Sequence, residues 1–325
     1  MLMGIQALLV SAVLAFSDVP TPADRAITEG NADFESANFE RALTAYQRAV
    51  ELDPKLALAH YLLARTHQHM LKPPSFRTEA YDEKAEAAAL AREVHHRTRA
   101  VAGYRAALAA DLGRVEAIDY RAAARRALID LELAASGGDE AALEQAGLLA
   151  RENPGDPRAL TVLATTQEKV GRVAQAETTF REMTQGAPRD REACEAFAAF
   201  YMRPNWDSRS KYAQGLEIIN RCADLSPTDP QAHHVVATSY WSVAYRTPNL
   251  SDAEVGRLAD LGLKAVARAL ALDPEYVEAL MYKGLLLRLK VRVAADPAVA
   301  AQLAAEAQAT QDRATELRRN RTPRQ

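Results

Sequence analysis

Apolar and polar residues follow one another along this chain with the period of a helix, and one phrase of the pattern keeps returning. Ala42, Tyr46 and Ala49 stand at i, i+4 and i+7, and Pro54 follows. The same spacing recurs at Ala176, Phe180, Met183 and Pro188, at Gly215, Ile219, Cys222 and Pro227, and at Gly262, Val266, Ala269 and Pro274. A weaker copy is Ala142, Ala146, Leu149 and Pro154; in another, Ala100, Tyr104 and Ala107, Leu112 replaces the proline. Residues so spaced share one helical face. A small first residue lets another helix come close, and a larger second residue fills the space beside it. Proline stops the helix, because it lacks an N–H and restricts the residue before it. Each phrase therefore predicts the second helix of a pair.

The first helices have a pattern of their own. Leu160, Leu163 and Ala164 precede Gly171 and Val173, and Leu280, Gly284 and Leu287 are similar. Asp156-Pro157, Asp229-Pro230 and Asp296-Pro297 each place a capping carboxylate before a proline suited to the first helical position. Pairs are expected to begin near Ala23, Ala57, Val115, Pro157, Arg191, Pro230 and Val277. Pro154 to Pro188 is 34 residues, Pro188 to Pro227 is 39 and Pro227 to Pro274 is 47. The extra residues fall between the two helices of a pair, around Arg203-Pro204-Asn205-Trp206 and Thr247-Pro248-Asn249. Ser251 and Glu254 then form a capping box that restarts a helix. The pair begun at Ala57 is the most irregular and includes Lys72-Pro73-Pro74.

These residues resemble the tetratricopeptide repeat family, whose period is about 34 residues. The resemblance covers nearly all of the chain after residue 22, although the tryptophan expected early in the first helix is missing from every copy. It implies an all-α superhelical solenoid of about seven helical hairpins, right-handed and elongated, with first helices lining the concave side. An amphipathic helix over 298–319, with Val299, Leu303, Ala307, Ala314 and Leu317 among its apolar positions, is expected to cap the open end.

Composition agrees with helix. Gly (14) and Pro (15) are scarce in 325 residues, and no run of strictly alternating β-branched residues appears. A net charge of −3 gives no long-range attraction to nucleic acid or to an anionic membrane. Only the tail, 320–325 with Arg318 and Arg319 before it, is locally basic, and it reads as solvated. Ala7 to Phe16 is apolar except for Ser11, too short to span a bilayer but of signal-peptide length, with small residues at Ala15 and Ser17. Residues 1–17 read as a signal peptide and 18–22 as a linker to the solenoid over 23–319. A buried N-terminal helix is the other reading, since residues 1–16 lack Lys and Arg.

Candidate chemistry is sparse. His60, His67 and His69 lie on one predicted helix, and His95-His96 and His233-His234 are adjacent pairs, but none has the i, i+4 spacing of a helical zinc site. No metal or cofactor is expected. Cys194 and Cys222 fall on apolar positions of the two helices of one repeat: either two small buried residues or a disulfide, the latter credible in an exported protein. The chain has no phosphate-binding Gly-rich loop, no Gly-x-Ser-x-Gly and no His-Glu-x-x-His.

The family pattern implies a groove lined by Tyr61, Arg65, His69, Asp119, Arg126, Arg158, Thr161, Thr165, Glu168, His234, Thr238, Trp241 and Arg288. Some relatives clamp a peptide carboxylate there; Ile27 and Glu116 stand where polar or basic residues would be needed. The expectation is a non-catalytic scaffold, periplasmic or secreted, that binds a protein or peptide segment, for example in bacterial envelope assembly. The other readings are an enzyme or carbohydrate-acting protein on a helical frame, and a cytoplasmic adaptor. If residues 1–17 are an export signal, the intact mass of native protein should correspond to a chain beginning near Asp18. A mass beginning at Met1 or Met3 would contradict this.

Overall fold

The computed structural model describes residues 20–71, 83–110, 120–203 and 209–321. Among these residues there are fourteen α-helices and no strand. The chain divides into two compact units, 1–154 and 155–325. The signal-peptide segment 1–17, the Lys72-Pro73-Pro74 insert, Val115, Glu116 and Asp119 lie outside the described residues.

The first unit holds α1 (Pro22–Glu35), α2 (Phe39–Leu52), α3 (Ala57–His69), α4 (Glu83–Ala109), α5 (Tyr120–Leu133) and α6 (Asp139–Glu152). Thr21 caps α1 in a capping box: its hydroxyl accepts the Asp24 N–H, and the Asp24 carboxylate accepts the Thr21 N–H. The helix thus begins at Pro22, inside the segment read as linker. Each phrase residue is buried where a second helix meets its partner: Ala42, Tyr46 and Ala49 on α2, and Ala100, Tyr104 and Ala107 on α4. Against Tyr46 the first helix offers Gly30, where a Cβ would lie 2.5 Å from the tyrosine ring. Polar ties reinforce the packing. Buried Arg125 of α5 donates to both carboxylate oxygens of Glu152 at 2.7 and 2.6 Å and to Gln145 at 2.8 Å. Those hydrogen bonds hold the Glu152 carboxyl down to about 2.

The second unit holds α7 (Pro157–Lys169), α8 (Val173–Gly186), α9 (Arg191–Tyr201), α10 (Arg209–Asp224), α11 (Pro230–Arg246), α12 (Asp252–Leu272), α13 (Val277–Val293) and α14 (Pro297–Arg321). Asp156, Asp229 and Asp296 accept backbone N–H groups from Arg158, Gln231 and Ala298, and Ser251 and Glu254 close the expected capping box. Successive hairpins share apolar clusters. Phe180 of α8, wholly buried, meets Phe197 and Phe200 of α9. Cys194 of α9 and Cys222 of α10 face each other as a disulfide pair, with Cα atoms 5.6 Å apart.

Two sequence expectations are refined. The thirteen extra residues of the sixth repeat are mostly helical: α11 and α12 have 17 and 21 residues against 13 and 14 in α7 and α8. The helix expected as a separate cap is the second helix of the seventh hairpin. It packs on α13 through Ala314 and Leu317 and continues to Arg321, into the segment read as a basic tail.

In the second hairpin, His67 of α3 and His96 of α4 face each other with Nδ1 atoms 2.9 Å apart, each 8% exposed. One ring must donate and the other accept, so at most one of the two can carry a proton on both nitrogens. Burial, with His96, His95 and Arg99 adding like charge, pushes His67 down to about 4. His96 is lowered by burial, His95 and Arg92, and Glu40 of α2 opposes this. Unfolded histidine takes a proton near pH 6.5, whereas folded His67 resists until about 4. Stability should therefore fall as pH drops through that window, by at most about 1.4 kcal/mol per pH unit for one proton. The melting temperature is expected to be lower at pH 5 than at pH 7.5, and the slope flatter in the His67→Gln/His96→Gln variant.

Candidate functional site

On α11, His234, Thr238, Trp241 and Tyr245 are separated by four, three and four residues, which places them in one stripe. The opposite stripe, with Ala232, Val236, Tyr240 and Val243, is buried in the core shared with α10 and α12. This division is why the helix folds as it does: its apolar side is needed by two second helices, leaving the aromatic stripe toward α13. Tyr245 is 60% exposed and stacks on Trp241, with centroids 5.0 Å apart and planes 10° apart. Tyr282 of α13 meets Trp241 edge-on at 5.5 Å and His234 at 5.2 Å. Tyr276, the N-cap residue of α13, closes on His234 from the other side, also at 5.2 Å.

These five rings form a wall across two first helices, with apolar faces and polar tips. The indole N–H of Trp241 and the hydroxyls of Tyr245, Tyr276 and Tyr282 make no hydrogen bond to another described residue. Nδ1 of His234 is buried with no hydrogen-bond partner among the described residues. Burial lowers the His234 pKa, against the pull of Glu278. Burial also raises that of Tyr276, and Glu278, Asp229 and Asp273 push the same way. The imidazole is thus neutral at neutral pH, and one end of the wall is bordered by acidic groups.

The other groove candidates are placed differently. In the first unit Tyr61 lies between the rings of Tyr104 and Tyr120, at 5.7 and 5.2 Å. The Arg65 guanidinium sits 4.9 Å from the Phe34 centroid, and His69 packs on Phe34 and Phe39 at 5.4 and 4.5 Å. These three side chains join neighbouring hairpins, which explains their residue types without a ligand. Arg126 is exposed on α5. In the second unit Arg158 is exposed and 3.5 Å from Glu192. Thr161 donates to Met183 Sδ, and Thr165 and Thr238 bond to carbonyls of their own helices. Glu168 pairs with Arg203 at 2.8 Å, its second oxygen buried without a partner. Arg288 reaches Gln311 of α14 at 2.5 Å and so points toward the second helix of its own hairpin. Of the candidate set, His234, Thr238 and Trp241 share one stripe of α11, and Arg158, Thr161, Thr165 and Glu168 share one of α7. Tyr245, Tyr276 and Tyr282 were not among the candidates. The available signal was the Trp241–Tyr245 spacing of four in a helix lengthened by an insert.

Among the described residues no group of three or more His, Cys, Asp or Glu is arranged to hold a metal ion, and no helix is long and apolar enough to cross a membrane. The model of the TPR repeat matches residues 30–70, which run from α1 through α3. No curated protein matches the chain. Solved structures similar to it include MamA from Desulfovibrio magneticus RS-1, 20% identical, covering 63% of this chain and 99% of that one, with a TM-score of 0.41. Pseudomonas aeruginosa PilF is 17% identical, covering 80% of this chain and 96% of that one, with a TM-score of 0.43. YrrB, described as a TPR protein with an unusual peptide-binding site, is 14% identical, covering 82% of this chain and 99% of that one, with a TM-score of 0.32. Six of the seven hairpins bury the i, i+4, i+7 phrase on their second helix, and residues 30–70 match the TPR repeat, so the fold of the described residues is an all-α array of tetratricopeptide-type hairpins.

Proposed function

We propose that the chain is a non-catalytic scaffold that holds a protein or peptide segment on the first-helix face of its second unit. The observation that carries this reading is the unpartnered aromatic wall. Large aromatic side chains are costly to leave at a surface, and they dominate binding energy where a partner covers them. Trp241 packs on the core and against Tyr245 and Tyr282, which leaves its N–H and the exposed ring of Tyr245 unused. The test is affinity purification of native protein with mass-spectrometric identification of what accompanies it. A stoichiometric protein partner should be present with the parent chain. It should be lost from Trp241→Ala and Tyr245→Ala, each substitution costing on the order of 2 kcal/mol of binding. Melting should be unchanged for Tyr245→Ala, whose ring is 60% exposed. Retention of the partner by both variants would move binding elsewhere on the chain.

The compartment we propose is an oxidising one, periplasmic or extracellular, where a scaffold could serve envelope assembly. The support is the Cys194–Cys222 geometry across α9 and α10, since such bonds persist outside the reducing cytosol. Native protein unfolded without reductant, in the presence of a thiol-alkylating reagent, should take up no label. With reductant it should take up two, one for each cysteine of the chain. Two labels without reductant would return the chain to a reducing compartment.

A further inference from the structure

The aromatic wall has a chemical bias that narrows what it can hold. Its unused polar groups include an indole N–H, which can only donate, and three phenol O–H groups, each of which can donate to a carbonyl oxygen. A segment that offers carbonyl oxygens but few N–H groups suits such a surface. Proline-containing chain is of this kind. Its imide nitrogen has no hydrogen, and in the polyproline II conformation its carbonyls have no internal partner. The flat pyrrolidine ring also fits the open face of a stacked indole–phenol pair, the mode by which aromatic-lined grooves take such segments.

Length and charge agree. From His234 to Tyr245 the stripe extends about 16 Å at 1.5 Å per residue, which matches roughly five residues of polyproline II at 3.1 Å each. At the Tyr276 end the field is acidic. Glu278 is exposed, and Asp229 and Asp273 also act on the Tyr276 phenol. Asp229 is partly neutralised by Arg191, whereas Glu278 has no ion-pair partner among the described residues. A cation on the ligand would meet uncompensated charge there. We propose that the wall of α11 and α13 binds an extended, proline-containing peptide segment carrying a basic residue at the end nearest Tyr276. This rests on the scaffold reading above and specifies the partner's chemistry.

The chain has two tryptophans, so a full-length Trp206→Phe variant leaves Trp241 as the sole indole reporter. That protein is titrated with four probes: a Lys-flanked oligoproline, the same peptide with alanine for proline, a Glu-flanked oligoproline, and chitohexaose. The Lys-flanked oligoproline should shift Trp241 emission saturably. The alanine and Glu-flanked peptides should bind about tenfold more weakly or worse. Tyr282→Ala should weaken the first peptide by about tenfold or more. Tyr245→Ala should do so as well, and its exposed ring keeps the test independent of folding. No saturable shift with oligoproline, equal affinity for the alanine peptide, or saturation by chitohexaose alone would each overturn the assignment. The partner captured in the affinity experiment would still decide the scaffold reading separately.

Discussion

The close approach of two helices through small residues is the constraint on which the rest of this structure depends. Alanine or glycine opens every phrase on the second helices, and the alanines at 42, 100, 142 and 176 are fully buried. At Gly262 an added Cβ would stand 2.7 Å from Leu286 of the next hairpin. With the backbones this near, one large residue a turn further on fills the remaining space: Tyr46, Tyr104, Phe180 or Val266. No hairpin buries its own apolar face completely; its neighbour supplies the remainder, and each unit is a run of such mutual dependencies.

That economy explains which surface is left over. Second helices give small residues to one neighbour and large ones to the next. A first helix needs only one side for the core. The other side of α11 is therefore open to residues that do not serve folding. The insert in this repeat then adds helix rather than loop. Tyr245 lies in the added turn, one turn beyond Trp241, so a length change in the scaffold creates the stacked pair. In the first unit comparable aromatic residues have no such freedom. Tyr61 is enclosed by Tyr104 and Tyr120, and the same residue type is a packing element there.

Polar chemistry within the hairpins follows the same division. The Arg125–Glu152 pair and the facing imidazoles of His67 and His96 join a first helix to its second, with Arg125 and both imidazoles buried between them. Both are satisfied within the chain, which is the condition for burying such groups. The His234 Nδ1 differs in having no partner among the described residues.

Sequence by itself determined the all-α fold, the hairpin starts near Ala23, Ala57, Pro157, Arg191, Pro230 and Val277, and the caps. These depend on local chemistry: a face repeating at 3.6 residues, a proline that cannot continue a helix, a carboxylate within reach of a free N–H. The stripe at His234, Thr238 and Trp241 was legible for the same reason, since one helix's geometry sets it. Tertiary structure alone decided the rest. It brought Tyr276 and Tyr282 across from α13, turned Arg288 toward Gln311, and enclosed Tyr61, Arg65 and His69 between hairpins. It also brought Cys194 within bonding distance of Cys222, where sequence offered a buried pair or, for an exported protein, a bond. The period of a helix tells which side a residue is on, but its neighbours across a stack are set by how far two backbones approach, and that depends on both at once.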